Sequence, residues 1–227
     1  MRGDYEIDDL AKEECWRMFR IMGELVEGFD KLAGIEPAVT IYGSARIGPH
    51  DELYKQTREI AYCLGQIGFS IISGGGPGAM EAANRGAFEA GVTSAGLNIK
   101  LPEEQKCNDY TTISITFNHF FARKVMLVKY ASAFVIVPGG LGTLDELTEV
   151  LTLMQTHKIR PFPVILFDSS YWSGLMEWLR HSTLDRNYIS EGDVSLLRIC
   201  DATGEVVEAV QKWYLNQEIA GRDALLK

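Results

Sequence analysis

The chain has 227 residues, a formal net charge of -9 and 46% hydrophobic residues, enough to bury a sizeable core with an ordinary globular composition. The acidic balance argues against nucleic acid and anionic membrane surfaces as partners, and no apolar run reaches the length of a bilayer span. Four cysteines, Cys15, Cys63, Cys107 and Cys200, show neither CxxC nor Cys/His spacing, so reduced thiols and no metal site are expected.

The first residues, MRGDYEIDDLAKEE, are too acidic for a secretion signal, and a cytoplasmic location is expected. Residues 8 to 32 place Met18, Met22, Leu25, Phe29 and Leu32 at steps of three and four, which predicts one apolar helical face. Gly34 and Pro37 then break the chain. Residues 1–36 therefore form a helical extension, expected to pack on the main fold or on a second subunit. Residues 37–227 are expected to form the main domain.

From residue 38 onward strand and helix alternate. Strands are predicted at Val39–Tyr42, Phe69–Ser73, Thr93–Ile99, Phe134–Val137 and Pro163–Phe167, with helices over about 51–67, 78–90, 119–131, 142–156 and 204–216. Short apolar strands joined by amphipathic helices predict an α/β fold, a doubly wound parallel sheet with helices on both faces. Such sheets bind ligands beyond the carboxyl ends of their strands. Three predicted strands run into turns rich in glycine or small residues, which should converge on one edge.

The turn Tyr42-Gly43-Ser44-Ala45-Arg46 offers the Ser44 hydroxyl to a ligand beside Gly43. In Ser73-Gly-Gly-Gly-Pro-Gly78-Ala-Met80-Glu81, residues Gly75 and Gly76 can bring backbone close to a ligand, Met80 can contact it, and Glu81 can reach ribose hydroxyls or act as an ordinary first-turn carboxylate. The loop matches only a relaxed dinucleotide fingerprint. The next strand, ending near Asn98, offers no carboxylate before Glu103 for a second ribose, which favours a mononucleotide. No Walker lysine motif is present.

The third turn, Pro138-Gly139-Gly140-Leu-Gly142-Thr143, leaves peptide N–H groups uncovered before a helix, an arrangement suited to phosphate. Thr143-Leu-Asp-Glu146 also has the spacing of a capping box. Arg123 and Lys124 begin the preceding helix and point in different directions, so one can face the ligand and the other solvent or a carboxylate. A guanidinium at Arg123 can hold phosphate in a bidentate grip, and Lys124 adds a second cation. A carboxylate at Glu146 can stabilise positive charge developing on a sugar or deprotonate water.

Pro138-Gly-Gly-Leu-Gly-Thr-Leu-Asp-Glu146, preceded by Arg123-Lys124, resembles the signature of the LONELY GUY family, often labelled lysine decarboxylase-like. The similarity runs from about Val39 to about Trp178 and includes Leu101-Pro-Glu-Glu-Gln105 and Leu151-Thr-Leu-Met-Gln-Thr156. The longer second loop and the N-terminal helix resemble the longer bacterial branch. The resemblance implies a Rossmann-like fold assembled as a homodimer or from dimers. It also implies hydrolysis of a nucleoside 5'-monophosphate, AMP or an N6-modified AMP of the cytokinin type, to free base and ribose 5-phosphate. An arginine and a glutamate at the Arg123 and Glu146 positions are required in that family. The other function class is a non-catalytic nucleotide-binding protein. No cofactor is expected: a pyridoxal phosphate enzyme needs a Schiff-base lysine with an acid partner for the pyridine nitrogen, and no such constellation is legible.

Overall fold

A computed structural model describes residues 14–101 and 107–225. Seven parallel strands form a single sheet: β1 (Ala38–Tyr42), β2 (Ser70–Ser73), β3 (Ser94–Ile99), β4 (Ile113–Phe117), β5 (Ala131–Ile136), β6 (Val164–Phe167) and β7 (Leu197–Cys200), in the spatial order β4-β3-β2-β1-β5-β6-β7. The order reverses direction between β1 and β5, which pair from Ala38 opposite Ala131 to Tyr42 opposite Ile136. Such a switch point opens a crevice at the carboxyl ends of the two strands.

Both faces of the sheet are covered, so the central strands are apolar without interruption. Phe134 and Ile136 of β5 and Val164 and Leu166 of β6 point into one core layer. That layer is closed by α4 (Phe120–Lys129), α5 (Leu141–Gln155) and α6 (Ser169–Trp178), through Met126, Leu147, Val150 and Trp172. Val39, Ile41, Val135 and Ile165 point the other way. They meet α2 (Glu52–Gln66), α3 (Ala79–Ala90) and α8 (Thr203–Leu225), through Ile60, Leu64, Ala83 and Val206. A π-helical turn, Leu179–Leu184, follows α6, and the short α7 (Glu191–Val194) precedes β7.

The five predicted strands and six predicted helices are present with end shifts. The strand placed at Phe134–Val137 starts at Ala131, where the small pair Ala131-Ser132 continues the strand, and the preceding helix stops at Lys129. Two edge strands, β4 and β7, were not predicted, nor were α6 and α7.

The N-terminal helix α1 (Glu14–Lys31) differs more in substance. The predicted apolar face divides: Met18, Met22 and Phe29 are exposed, while Leu25 and Leu32 turn inward with Ile21, Glu24 and Gly28. Gly28 packs against Met126 of α4. A Cβ there would lie 2.8 Å from the Met126 sulfur, so any larger residue would require the Met126 side chain to move. Residues 8–13 of the predicted helix, Glu103 and the stretch Pro102–Gln105 lie outside the described residues.

Candidate active site

The turns after β1, β2 and β5 meet at the switch point and are tied together by their backbones. The N–H of Ser44 donates to the Pro138 carbonyl at 3.1 Å, the N–H of Ala79 to the Ser44 carbonyl at 2.9 Å, and the N–H of Val137 to the Tyr42 carbonyl at 2.9 Å. Close approach demands small residues here: a Cβ on Gly43 would overlap Val137 and Ala79. The result is a cleft of about 630 Å³, within the range of small-ligand sites.

Arg123 and Glu146 face each other in this cleft, with Arg123 Nη2 3.7 Å from Glu146 Oε1. Arg123 is buried, and its Nε donates to the Leu97 carbonyl at 2.7 Å, which fixes the stem of the side chain and leaves the guanidinium end toward the cleft. A Cβ on Gly74 would displace the Arg123 guanidinium or the Met80 side chain. Burial pushes the Glu146 carboxyl up to about 7. The Arg123 charge opposes that rise, Asp145 adds to it and Lys124 subtracts from it. A carboxyl with this value exchanges protons near neutrality, as acid–base groups in active sites do. Tyr42, at the end of β1, is held well above its ordinary value by burial and then by the Glu146 charge, so it stays a neutral phenol.

Of the residues singled out from sequence, Gly43, Ser44, Met80, Arg123, Gly140, Gly142, Thr143 and Glu146 line the cleft. Five others have different surroundings. Lys124 turns to α5 and pairs with Asp145 at 2.6 Å and Glu149 at 3.4 Å. Glu81 accepts from the Tyr54 hydroxyl at 2.8 Å. Gly75 packs against the Asn98 side chain, and the Gly76 carbonyl accepts from the Asn108 amide at 3.1 Å. Gly139 lies over Thr143, whose hydroxyl occupies the space a Cβ would need, while its carbonyl accepts from the Tyr171 hydroxyl at 2.5 Å.

The capping-box reading of Thr143 and Glu146 is corrected: α5 starts at Leu141 with Gly140 as N-cap, so Thr143 is already inside the first turn and buried. No cap role remains for the Glu146 side chain. Arg46, and Gly74, which the sequence marks only as the first glycine of the dinucleotide-like fingerprint, also line the cleft with Ile99, Leu101, Phe120 and Leu141. Arg46 was within reach of that reading, as a cation two positions after Ser44 in the same turn.

A second open cavity, about 660 Å³, lies beside α7, but its charged side chains are the carboxylates of Asp185, Glu191 and Asp193. That lining repels an anion. Among the described residues no cluster of histidine, cysteine and carboxylate side chains is arranged to hold a metal, and no helix is long and apolar enough to cross a membrane.

Residues 80–210 match the sequence model of the family described as possible lysine decarboxylase. A cytokinin riboside 5'-monophosphate phosphoribohydrolase of Mycobacterium tuberculosis is 28% identical over 165 residues, covering 70% of this chain and 86% of the relative. A pyrimidine/purine nucleotide 5'-monophosphate nucleosidase of Escherichia coli is 28% identical over 167 residues, 66% of this chain and 35% of that longer protein. Among solved structures, the molybdenum cofactor carrier protein of Chlamydomonas reinhardtii superimposes with a TM-score of 0.60 at 21% identity, covering 79% of this chain and 98% of its own. That likeness is one of fold.

Proposed function

Because the chain belongs to the possible lysine decarboxylase family, the LONELY GUY family, we propose that it is an N-glycosyl hydrolase that splits a nucleoside 5'-monophosphate into free base and ribose 5-phosphate. The observation that carries this reading is the buried Arg123 facing the partly buried Glu146, 3.7 Å apart, at the mouth of the uncovered N-terminus of α5. Phosphate fits the N–H groups that follow Gly140, where the helix dipole is positive and no side chain caps the helix. Arg123 and Arg46 supply the charge, with Arg123 set to grip an anion in bidentate fashion. The base fits between Met80, Ile99, Phe120 and Leu141, which offer apolar contact.

Breaking the bond between C1′ and the base leaves positive charge on the ribose. The base departs with the electron pair of the broken bond; Glu146, as carboxylate, stabilises the charge on the ribose, takes the proton of the attacking water and returns it to the freed nitrogen of the base. The phosphate grip fixes the ribose against Glu146, so binding energy from a remote group is used at the reacting carbon. A decarboxylase built on pyridoxal phosphate would need a lysine in the cleft, and none is among the described residues lining it.

AMP and N6-modified AMP are the proposed substrates. The test is a panel of nucleoside monophosphates, and adenosine beside AMP, with free base and ribose 5-phosphate assayed without added cofactor. Base release from AMP, and little from adenosine, is expected. No base release from any monophosphate overturns the hydrolase, and AMP binding without release selects a non-catalytic nucleotide-binding protein.

The same reading includes a homodimer. Trp16, Phe19 and Val26 of α1 are each more than 60% exposed, and Phe121 and Val125 of the adjoining α4 are also exposed. An apolar surface of this kind on paired helices is suited to a second copy. A dimeric mass by light scattering at micromolar concentration is expected, and a monomeric mass overturns it.

A further inference from the structure

Outside the cleft, four hydrogen-bonding groups converge on one carboxylate. Glu24, on α1, is 8% exposed. It accepts from the peptide N–H of Asn118 at 3.2 Å, from the Asn118 amide at 2.8 Å and from the peptide N–H of His119 at 3.3 Å. The His119 Nδ1 lies 3.1 Å from the same carboxylate. A carboxylate is taken out of water at a cost that only such donors offset.

These donors sit where α4 begins. His119 is the N-cap of α4 and makes no side-chain cap bond of its own. The negative charge that meets the positive end of this helix thus comes from Glu24, on another helix. Phe120, the first residue of α4, lines the cleft. Arg123 lies one turn on, its N–H donating to the His119 carbonyl at 3.2 Å. Along the same contact, Gly28 packs on Met126 and the Tyr130 hydroxyl donates to the Phe29 carbonyl at 3.3 Å.

We propose that Glu24 is a positioning residue for Arg123: by anchoring Asn118 and His119 it fixes where α4 starts, and so where the guanidinium stands relative to Glu146 and the substrate phosphate. The proposal rests on the phosphate role assigned to Arg123. It makes α1 a working part of the active site. A shift of the α4 start by about 1 Å is enough to cost on the order of 10²-fold in rate, because the reacting geometry is set by that distance.

The test uses the full chain with Glu24→Ala and the near-isosteric Glu24→Gln. Two quantities are read: amide hydrogen exchange across residues 120–124, and calorimetric AMP affinity in the parent and in an Arg123→Ala background. Faster exchange at the start of α4 is expected. An affinity loss on the order of tenfold is expected in the parent and none in the Arg123→Ala background, as for two residues that act through one another. Glu24→Gln should fall between Ala and parent, and it carries the test if the Ala variant does not fold. A role confined to docking α1 predicts a lower melting temperature with the same protection at 120–124, and that result overturns the proposal. An equal affinity loss in both backgrounds also overturns it. If the parent protein binds no AMP, the phosphate role of Arg123 fails, and the exchange measurement alone decides Glu24: unchanged protection overturns it.

Discussion

The turn between β2 and α3 is held from beneath by a network of buried neutral side chains, whereas the turn between β5 and α5 is open. In the first, the Ser73 hydroxyl donates to Asn84 Oδ1 at 2.6 Å and accepts from the Gly75 N–H at 3.0 Å. The Asn108 amide bridges Asn84 Oδ1 at 2.9 Å to the Gly76 carbonyl. Asn84 is fully buried and also donates to the Ser94 hydroxyl at 2.9 Å. In the second turn, nothing lies within 4 Å of where a Cβ on Gly140 or Gly142 would stand. Two glycine-rich turns of similar composition thus differ in kind. One uses glycine to reach a fixed shape and fill a core, and the other leaves the space beside its glycines open.

The largest stability effect should come from filling the first turn. Gly75 has φ +71° and its Cβ would meet the Asn98 side chain at 2.7 Å. Gly75→Ala should destabilise the protein by about 2–5 kcal/mol, the sum of a left-handed backbone penalty and overpacking, measured by urea denaturation. A loss under about 1 kcal/mol would erase the contrast between the two turns.

A comparable effect separates the turns by pH. The network under the first turn is built from serine and asparagine, so its contribution is independent of pH. Glu146, beside the second, has its carboxyl raised to about 7 from an ordinary 4.5, mainly by burial. A carboxyl raised on folding favours the folded state below its unfolded value and loses that advantage as pH climbs through the folded value. Stability should therefore fall between about pH 4.5 and 7, by about 3 kcal/mol at ~1.4 kcal/mol per pKa unit. Glu146→Gln should flatten this slope. Thermal melts of parent and variant across that range check it, and an identical slope in both would assign the pH dependence elsewhere.

The smallest stability effect is expected at Gly142. Gly142→Ala enters a helix start with open space around it, and should leave stability within about 1 kcal/mol of the parent or raise it. AMP affinity should nevertheless fall, because the methyl group projects into the cleft. Unchanged affinity would remove this turn from the phosphate site.

Much of the molecule was legible before any coordinates. Five of the strands announce themselves because burial on both faces makes them apolar runs bounded by glycine or proline. β4 and β7 escaped because edge strands are partly exposed: Ser114 and Thr116 interrupt β4, and Arg198 interrupts β7. The facing pair Arg123 and Glu146 was legible from motif and chemistry, and the adjacency of Arg123 and Lys124 did separate a cleft-facing cation from one paired with carboxylates. Lys124 itself, and the hydrogen bond that occupies Glu81, depend on which side chains the fold brings near, which spacing does not reveal. The inner face of α1 was legible only in part, because the apolar stripe read from periodicity joins Leu25 and Leu32, which turn inward, to Met18, Met22 and Phe29, which face outward. Glu24, a buried carboxylate satisfied by residues over 90 positions away, gives no local signal.

The central claim is that Glu146 acts on the reaction and not on binding or folding. Glu146→Gln keeps the shape of the side chain and removes its charge. The decisive measurement is AMP affinity by calorimetry beside the rate of adenine release, in parent and variant. The account predicts AMP affinity within a few-fold of the parent and a rate lower on the order of 10²–10⁴-fold, the usual cost of losing a positioned acid–base group. A Glu146→Gln protein that releases adenine at close to the parental rate would contradict it.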